Sequence, residues 1–254
     1  VLRTPEQRFR LVILVIWSTL FITRLRRLAA RRMKVAVSWS TGKDSLMALL
    51  RALSSGKEVV CLLTTLTEGY NRVTMHGLRR ELLHAQSSSI GLPVFEVWIP
   101  PNAPNEVYEE RMGRALTELR ERHGVDGVVF GDIWLEDVRR YREERMRGTG
   151  VEPLFPLWGE DPAGLVEEFL RLGYRAVINV VDASQLDPSR FLGRTITFEL
   201  IEELSASGKD PAGERGEYHT FAYDGPAFSR PVAFRTGEVV VRDGRFHFVD
   251  LIPV

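Results

Sequence analysis

The stretch Met33-Lys-Val-Ala-Val-Ser-Trp-Ser-Thr-Gly-Lys-Asp-Ser45, continued by "LMALLRALSSG" (46–56), joins three signals without a gap. The run 33–39 is apolar and β-branched and reads as a strand. A Ser/Thr/Gly turn with one Lys and one Asp follows. Residues 43–55 then read as a helix, with Leu46, Leu49, Leu50 and Leu53 at i, i+3, i+4 and i+7 and Gly56 as its stop. A strand that turns directly into a helix leaves the first helical N–H groups free. Together with the helix dipole they form an anion site. Gly42 lets the backbone approach a phosphate, Ser40, Thr41 and Ser45 offer hydroxyls, and Lys43 supplies positive charge.

Outward from this turn the pattern alternates. "EVVCLLTTL" (58–66) is a continuous apolar strand, which suits burial on both faces of a parallel sheet. Residues 76–91 read as a helix ending at Gly91, 92–99 as a third strand, and 105–123 as a charged amphipathic helix ending at Gly124. Residues 126–133 read as a fourth strand, and the charged run from Leu135 as a helix ending at Gly148 and Gly150. This βαβαβαβα order predicts an α/β fold, a doubly wound parallel sheet whose ligand lies beyond the carboxyl ends of the strands. The 38–45 turn and the "GDI" turn (131–133) both fall on that edge.

Past residue 148 the pattern is less regular. "DPAGLVEEFLRLG" reads as a helix with Asp161 as N-cap and Pro162 at its first position, "YRAVINVV" as a strand and "TFELIEELSASG" as a helix. The last stretch reads as a hairpin or meander turning at "RDGR". The expected domains are a basic apolar arm over 1–32 outside the fold, a nucleotide-binding domain over 33–148 and a smaller C-terminal α/β domain over 149–254 on the substrate side. In the arm, "LVILVIWSTLFI" (11–22) is too short to span a bilayer comfortably. Met33 is the expected true start, with an amphipathic membrane-surface helix as the alternative.

Net charge is zero over 254 residues, but residues 1–32 carry eight Arg and one Glu, so the remainder is acidic. An acidic body has no electrostatic footprint for nucleic acid. The single cysteine, Cys61, excludes an internal disulfide and Cys-pair zinc sites, and fits a reducing, cytoplasmic setting.

Walker A requires a glycine six residues before Lys43, where Val37 stands, and no G-x-G-x-x-G occurs. "STGKDS" (40–45) instead resembles the S-G-G-x-D-S pyrophosphate loop of the N-type ATP pyrophosphatases, with Thr41 in place of one Gly. That resemblance implies a PP-loop fold of the HUP type that cleaves ATP to AMP and pyrophosphate. It implies ATP binding by Ser38, Ser40, Thr41, Gly42, Lys43, Asp44, Ser45, Gly131 and Asp132, with Mg²⁺ on Asp44. Read by itself, Asp44 is equally a first-turn carboxylate favoured by the helix dipole.

Three further stretches, 125–144, 153–178 and 186–228, resemble the diphthine–ammonia ligase (diphthamide synthetase) family. The most specific is Gly213-Glu-Arg-Gly-Glu-Tyr-His-Thr220, close to G-E-x-G-E-[YF]-x-T. The family activates a carboxylate with ATP and lets ammonia displace AMP, forming an amide. The resemblance implies catalysis by Lys43, Asp44 and Glu217. It also implies substrate binding by Glu214, Glu217, His219 and Thr220. Glu136 and Arg139 follow Asp132 by one and two helical turns, roughly on one face, and are read as substrate-binding too, Arg139 meeting a carboxylate or phosphate bidentately; an ordinary surface ion-pair helix is the alternative. Glu214 or Glu217 would hold ammonium or take its proton. His76 reads as a helix-start residue that also lies near the ATP edge.

Two departures bear on the acceptor. Diphthine-specific members read G-A-I-x-S-D-Y-Q-R where this chain has "GDIWLEDVR" (131–139), and Arg215 and His219 differ from the usual "GEGGEYET". The acceptor is therefore either the diphthine of elongation factor 2, in an archaeal or eukaryotic setting, or another carboxylate. Free ammonium is the nitrogen source. Two other readings stay open: a non-catalytic adenine-nucleotide sensor and a tRNA-modifying PP-loop enzyme. No nucleic-acid partner or stable membrane insertion is expected, and a homodimer through the C-terminal meander stays open.

Overall fold

The computed structural model describes residues 32–254; the calls on the N-terminal arm lie outside them. β1 (Lys34–Ser38) is the centre of a parallel sheet. β2 (Glu58–Thr67) flanks it on one side and β5 (Gly127–Val129) on the other. β4 (Val94–Ile99) pairs outside β2, and β6 (Glu152–Leu154) outside β5. The parallel order is thus β4-β2-β1-β5-β6, the doubly wound order expected from the alternation. A short antiparallel strand, β3 (Arg72–Val73), pairs with the end of β2 inside the stretch read as a loop.

The continuous apolar runs are explained by burial on both faces. Val35, Ala36 and Val37 of β1 are fully buried, as is Leu62 of β2. Cys61 is part of this core, and burial pushes its thiol up to about 11. Four helices connect the strands: α1 (Lys43–Ser54), α2 (Arg80–Ile90), α3 (Asn105–His123) and α4 (Glu136–Met146). α2 and α3 stop at Gly91 and Gly124, both left-handed, as read.

α1 differs from its expected face. Leu46 and Leu49 are buried, but Leu53 is 47% exposed, while Met47, Ala48 and Ala52 are buried instead. The helix touches the parallel sheet on one side and the C-terminal strands and helices on another, so one apolar stripe does not describe it. α2 starts at Arg80 rather than at 76, because Met75 (φ 65°) and Gly77 (φ 63°) are left-handed and break the helix. His76 is thereby left on a loop. β5 is shorter than the expected 126–133, since Phe130 to Ile133 leave the sheet and turn toward α1.

The C-terminal part is a four-stranded antiparallel sheet in the order β8-β7-β10-β9. Its strands are β7 (Arg175–Asp182), β8 (Tyr218–Asp224), β9 (Phe234–Arg242) and β10 (Phe246–Pro253). It carries α5 (Pro162–Arg171), the short α6 (Pro188–Phe191) and α7 (Phe198–Ala206). Asp161 caps α5 by accepting from Gly164 N at 2.7 Å, with Pro162 in the first turn. β9 and β10 form the hairpin read from "RDGR", with Asp243 and Gly244 both left-handed. Because β6 pairs with β5, the parallel sheet reaches Leu154, and the boundary expected near 148 falls before its last strand.

Lys34–Val254 forms one compact unit. Charged ties join its two sheets. Arg51 on α1 binds Glu160 (3.1 Å) and Glu168 (2.6 Å) at the start of and within α5. Asp250 on β10 accepts from Arg72 (2.8 Å) and Arg79 (2.5 Å). Burial opposes ionisation of Asp250, but the two guanidiniums prevail and hold its pKa at about 2. Among the described residues no helix is long and apolar enough to cross a membrane.

Candidate active site

The 38–45 turn sits where β1 meets α1, at the point where the strand order reverses between β1 and β5. Gly42 is the N-cap of α1 and provides no capping side chain. The turn's own groups stabilise it: Ser45 Oγ donates to Gly42 O (2.9 Å), and Ser40 Oγ donates to Ser45 Oγ (3.2 Å). The opposite wall is β8. Lys43 N donates to Thr220 Oγ1 (3.1 Å), and Ala222 N donates to Thr41 O (3.0 Å). Gln86 on α2, fully buried, donates to Thr41 O (2.9 Å) and Ala222 O (2.6 Å) and accepts from Trp39 Nε1 (2.8 Å).

Close backbone approach explains two glycines. A Cβ on Gly42 would lie 3.0 Å from Thr220 O, and a Cβ on Gly131 would lie 3.0 Å from the carbonyl of Asp44. Thr41, which takes the place of a family glycine, has φ 74°, a left-handed conformation that disfavours a β-branched residue. Its Oγ1 is buried without a hydrogen-bond partner.

Lys43 is 2% exposed. Its Nζ bonds Asp44 Oδ2 (3.0 Å), donates to Ala212 O and lies 5.0 Å from the centre of the Tyr218 ring. Burial works against its charge, but Asp44, Tyr218 and Glu214 outweigh that and hold its pKa above the ordinary lysine value. Burial pushes the Asp44 carboxyl up and Lys43 pulls it back; the side chain keeps 30% exposure toward the cavity.

The loop from Asp210 to Glu217 closes the site. Glu214 Oε1 accepts from Ile133 N (2.9 Å), which links this loop to the turn after β5. Burial pushes the Glu214 carboxyl up to about 7; the Ile133 N–H opposes this, and the charges of Asp44 and Asp132 add to it. Tyr218 donates to Pro211 O, and burial raises its phenol to about 12. The rings of His76 and His219 lie against each other, with centres 4.4 Å apart and planes tilted by 45°. Burial, then the charge of Lys43, holds His219 at about 4, and His76 is depressed well below the ordinary value by burial, His219 and Lys43. Both rings are neutral near pH 7.

One cavity of about 240 Å³ gathers most of the expected residues: Ser38, Ser40, Gly42, Lys43, Asp44, Ser45, Gly131, Asp132, Glu214, His219 and Thr220 all line it. His76, Arg142, Gly213 and Tyr218 complete it. Four expected residues are not in the lining: Thr41, buried in the turn itself, and three that stand elsewhere. Glu136 is exposed on the first turn of α4 and does not line the cavity. Arg139 pairs with Glu143 (2.8 Å) and covers the rings of Trp158 and Phe155, at 4.6 and 5.1 Å. Glu217 is 2% exposed and lies outside the lining, with Oε2 buried and without a partner.

Arg142 escaped the sequence reading. It forms an ion pair with Asp132 Oδ2 (2.7 Å), angled so that the hydrogen bond runs from Nη2 to Oδ1 (3.1 Å), and covers the Phe130 ring at 4.3 Å. "EDVRRYREER" offers four arginines, and only the phase of α4 against the sheet selects the one that reaches the cavity. His76 was missed as a site residue because its loop reads as helix.

The cavity therefore combines a helix N-terminus, two cations, two carboxylates on the phosphate side, and a carboxyl titrating near neutrality beside two neutral imidazoles. It can hold a polyphosphate and move a proton next to it. The family models and the sequence relatives agree on one family. Residues 33–153 match the diphthamide synthase N-terminal domain, and residues 161–246 match the diphthamide synthase C-terminal domain. A human diphthine–ammonia ligase is 29% identical over 230 residues, covering 82% of this chain and 85% of that protein. The rat diphthine–ammonia ligase is 30% identical with the same coverage. Among solved structures, a "predicted subunit of tRNA methyltransferase" from Methanocaldococcus jannaschii superposes with TM-score 0.41 at 14% identity, over 75% of this chain and 96% of that one. With both family domains matched in order and a relative 30% identical along 85% of its length, the chain belongs to the diphthamide synthase family.

Proposed function

We propose that this chain is an ATP-dependent ligase: it adenylates a carboxylate, releases pyrophosphate and lets ammonia displace AMP to form an amide. The observation that carries this reading is the convergence of the 38–45 turn, the Gly131–Asp132 turn and the 213–220 loop on one cavity around a buried, charged Lys43. A carboxylate is a poor electrophile, and its oxygen attacks the α-phosphorus of ATP with pyrophosphate as leaving group.

The N-terminus of α1 and Lys43 stabilise negative charge on the β- and γ-phosphates as that bond breaks. Gly42 and Gly131 keep the wall thin enough for phosphate oxygens to meet backbone N–H groups. Arg142 is a second cation for the same charge, held by Asp132 in the meantime. Asp44, partly exposed to the cavity, would hold Mg²⁺. One carboxylate open to the cavity fits Mg²⁺, a hard cation that would take its other ligands from phosphate oxygens and water. When bound, Mg²⁺ offsets charge on the leaving pyrophosphate.

Ammonium must lose a proton before it can attack. Glu214, titrating at about 7, is matched to that step near neutral pH. Glu217, in the same loop, has a buried oxygen lacking a donor, and an N–H of ammonium is a suitable one. The acceptor is a carboxylate of the diphthine class, the substrate that the relatives' name gives, and lies on the Glu214–His219 side. The setting is cytoplasmic, supported by the lone buried thiol of Cys61.

The test is pyrophosphate release from Mg-ATP with ammonium and diphthine-bearing elongation factor 2, with Asp44→Ala as control. Release that requires acceptor and ammonium and disappears in the variant supports the ligase. ATP binding with no pyrophosphate under these conditions would replace it with a nucleotide sensor.

A further inference from the structure

β9 is an edge strand of the antiparallel sheet, paired with β10 on one side only among the described residues. Edge strands that remain monomeric are commonly short, interrupted by proline or studded with lysine. β9 is nine residues long, "FRTGEVVVR", and has neither residue type. Val239, Val240 and Val241 are 55%, 46% and 49% exposed, so apolar surface lies on both faces of one open edge. The register shift against β10 falls between Val249 and Leu251, where Gly237 and Glu238 together stand opposite Asp250; Glu238 thus borders a bulge, and 239–242 are in regular pairing.

The charges flanking the valines are placed symmetrically. Glu238 and Arg242 stand two residues before and two after Val240. Both are exposed, and neither has an oppositely charged partner among the described residues; Arg242 lies only against the rings of Phe248 and Tyr70. A two-fold axis through Val240 would pair β9 antiparallel with a second β9. Glu238 then faces Arg242 of the other copy, twice, and Val239 faces Val241, twice, with Val240 opposite itself. Because side chains alternate faces, each of these pairs lies on one face of the joined sheet. A slip of one residue sets Glu238 opposite Val241 or Asp243 and Arg242 opposite Gly237 or Val239, and loses both ion pairs.

We propose that β9 is a homodimer interface, in which two copies of this chain join through antiparallel β9–β9 pairing centred on Val240 into a continuous eight-stranded sheet. The occupant is a second copy because the strand is complementary to itself in charge and in apolar pattern.

Sedimentation velocity of the full chain across a micromolar concentration series tests this. Wild type is expected to dimerise as concentration rises. Glu238→Arg leaves two cations at each interface position and Arg242→Glu leaves two anions, so each variant alone is expected to sediment as a monomer. Mixed in equal amounts they are expected to form a heterodimer, since each cationic strand then faces an anionic one. Val240→Lys, which leaves both charges in place, is expected to be monomeric, with circular dichroism reporting that its fold is kept. A monomeric wild type throughout, a dimer indifferent to Glu238→Arg and Val240→Lys, or two monomeric charge variants that fail to associate on mixing would each overturn the proposal.

Discussion

The two walls of the cavity are built on opposite terms. The β1–α1 wall is mainly backbone: glycines against carbonyls, a helix N-terminus, and a lysine whose charge is met by Asp44 and Ala212. The wall made by residues 210–220 and His76 is mainly side chain, and some of its groups are unsatisfied. Glu214 is held near neutrality, two imidazoles are kept neutral, and Glu217 Oε2 and His76 Nδ1 are buried without partners. Under the proposed reaction the contrast matches what each wall would do. A polyphosphate has fixed charge and is recognised by fixed dipoles. A proton transfer needs groups whose charge can change, and such groups are buried only at a cost in stability.

The largest expected effect breaks the first wall. Lys43→Ala removes the buried cation facing the phosphates and should lower pyrophosphate release by about 10²–10³-fold, the loss typical of one transition-state donor. Steady-state release under saturating ATP measures it; a loss below tenfold would assign that charge to Arg142 instead.

Glu214→Gln breaks the second wall, with about a 10²-fold loss of ammonia-dependent turnover. The wild-type rate should fall as pH drops through about 7, where Glu214 takes up its proton, and the variant should lose that inflection. Stability moves the opposite way. A carboxyl whose folded pKa is raised contributes stability below its unfolded pKa and loses it as pH rises from about 4.5 to about 7. Gln is neutral throughout and keeps the acceptor for Ile133 N. At pH 8 the variant should thus be more stable than wild type, by about 1–2 kcal/mol once partial exposure is allowed for. Chemical denaturation at pH 5 and pH 8 separates the two effects.

Gly42→Ala places a methyl 3.0 Å from Thr220 O and pushes α1 away from β8. The expected cost is about 1–3 kcal/mol, read as a lower Tm, together with weaker ATP binding. Thr41→Gly has the smallest effect and the opposite sign. It removes the left-handed strain and the orphaned hydroxyl, while a buried methyl is lost, for a net gain of at most about 1 kcal/mol. A lower Tm in Thr41→Gly would mean that the threonine packing outweighs its backbone conformation.

The same contrast governs what was legible in the sequence. The phosphate wall is one contiguous strand–turn–helix, and every step of it is local: β-branched run, Gly-containing turn, helical periodicity. All but Thr41 of the residues read there line the cavity, and Thr41 lies just behind it. On the proton-handling wall the motif at 213–220 was legible, but its internal roles were not. Glu214 and His219 face the cavity and Glu217 does not, because the loop before β8 folds back onto Ile133 and buries Glu217 behind the lining. α4 was read in the wrong phase: Arg139 is spent on Trp158 and Phe155, and Arg142 is the cation that arrives.

By itself the sequence determined the element order, the doubly wound sheet, the anion-binding turn and the family, since these follow from periodicity and from short motifs whose physics is local. The tertiary structure alone decided which side chains share the cavity. Lys43 N meets Thr220 across 177 residues, Glu214 meets Ile133 across 81, and His76 reaches His219 only because two left-handed residues delay the start of α2. Those meetings depend on how two sheets pack around α1, and packing on that scale is set by the joint fit of many side chains rather than by any segment of the chain.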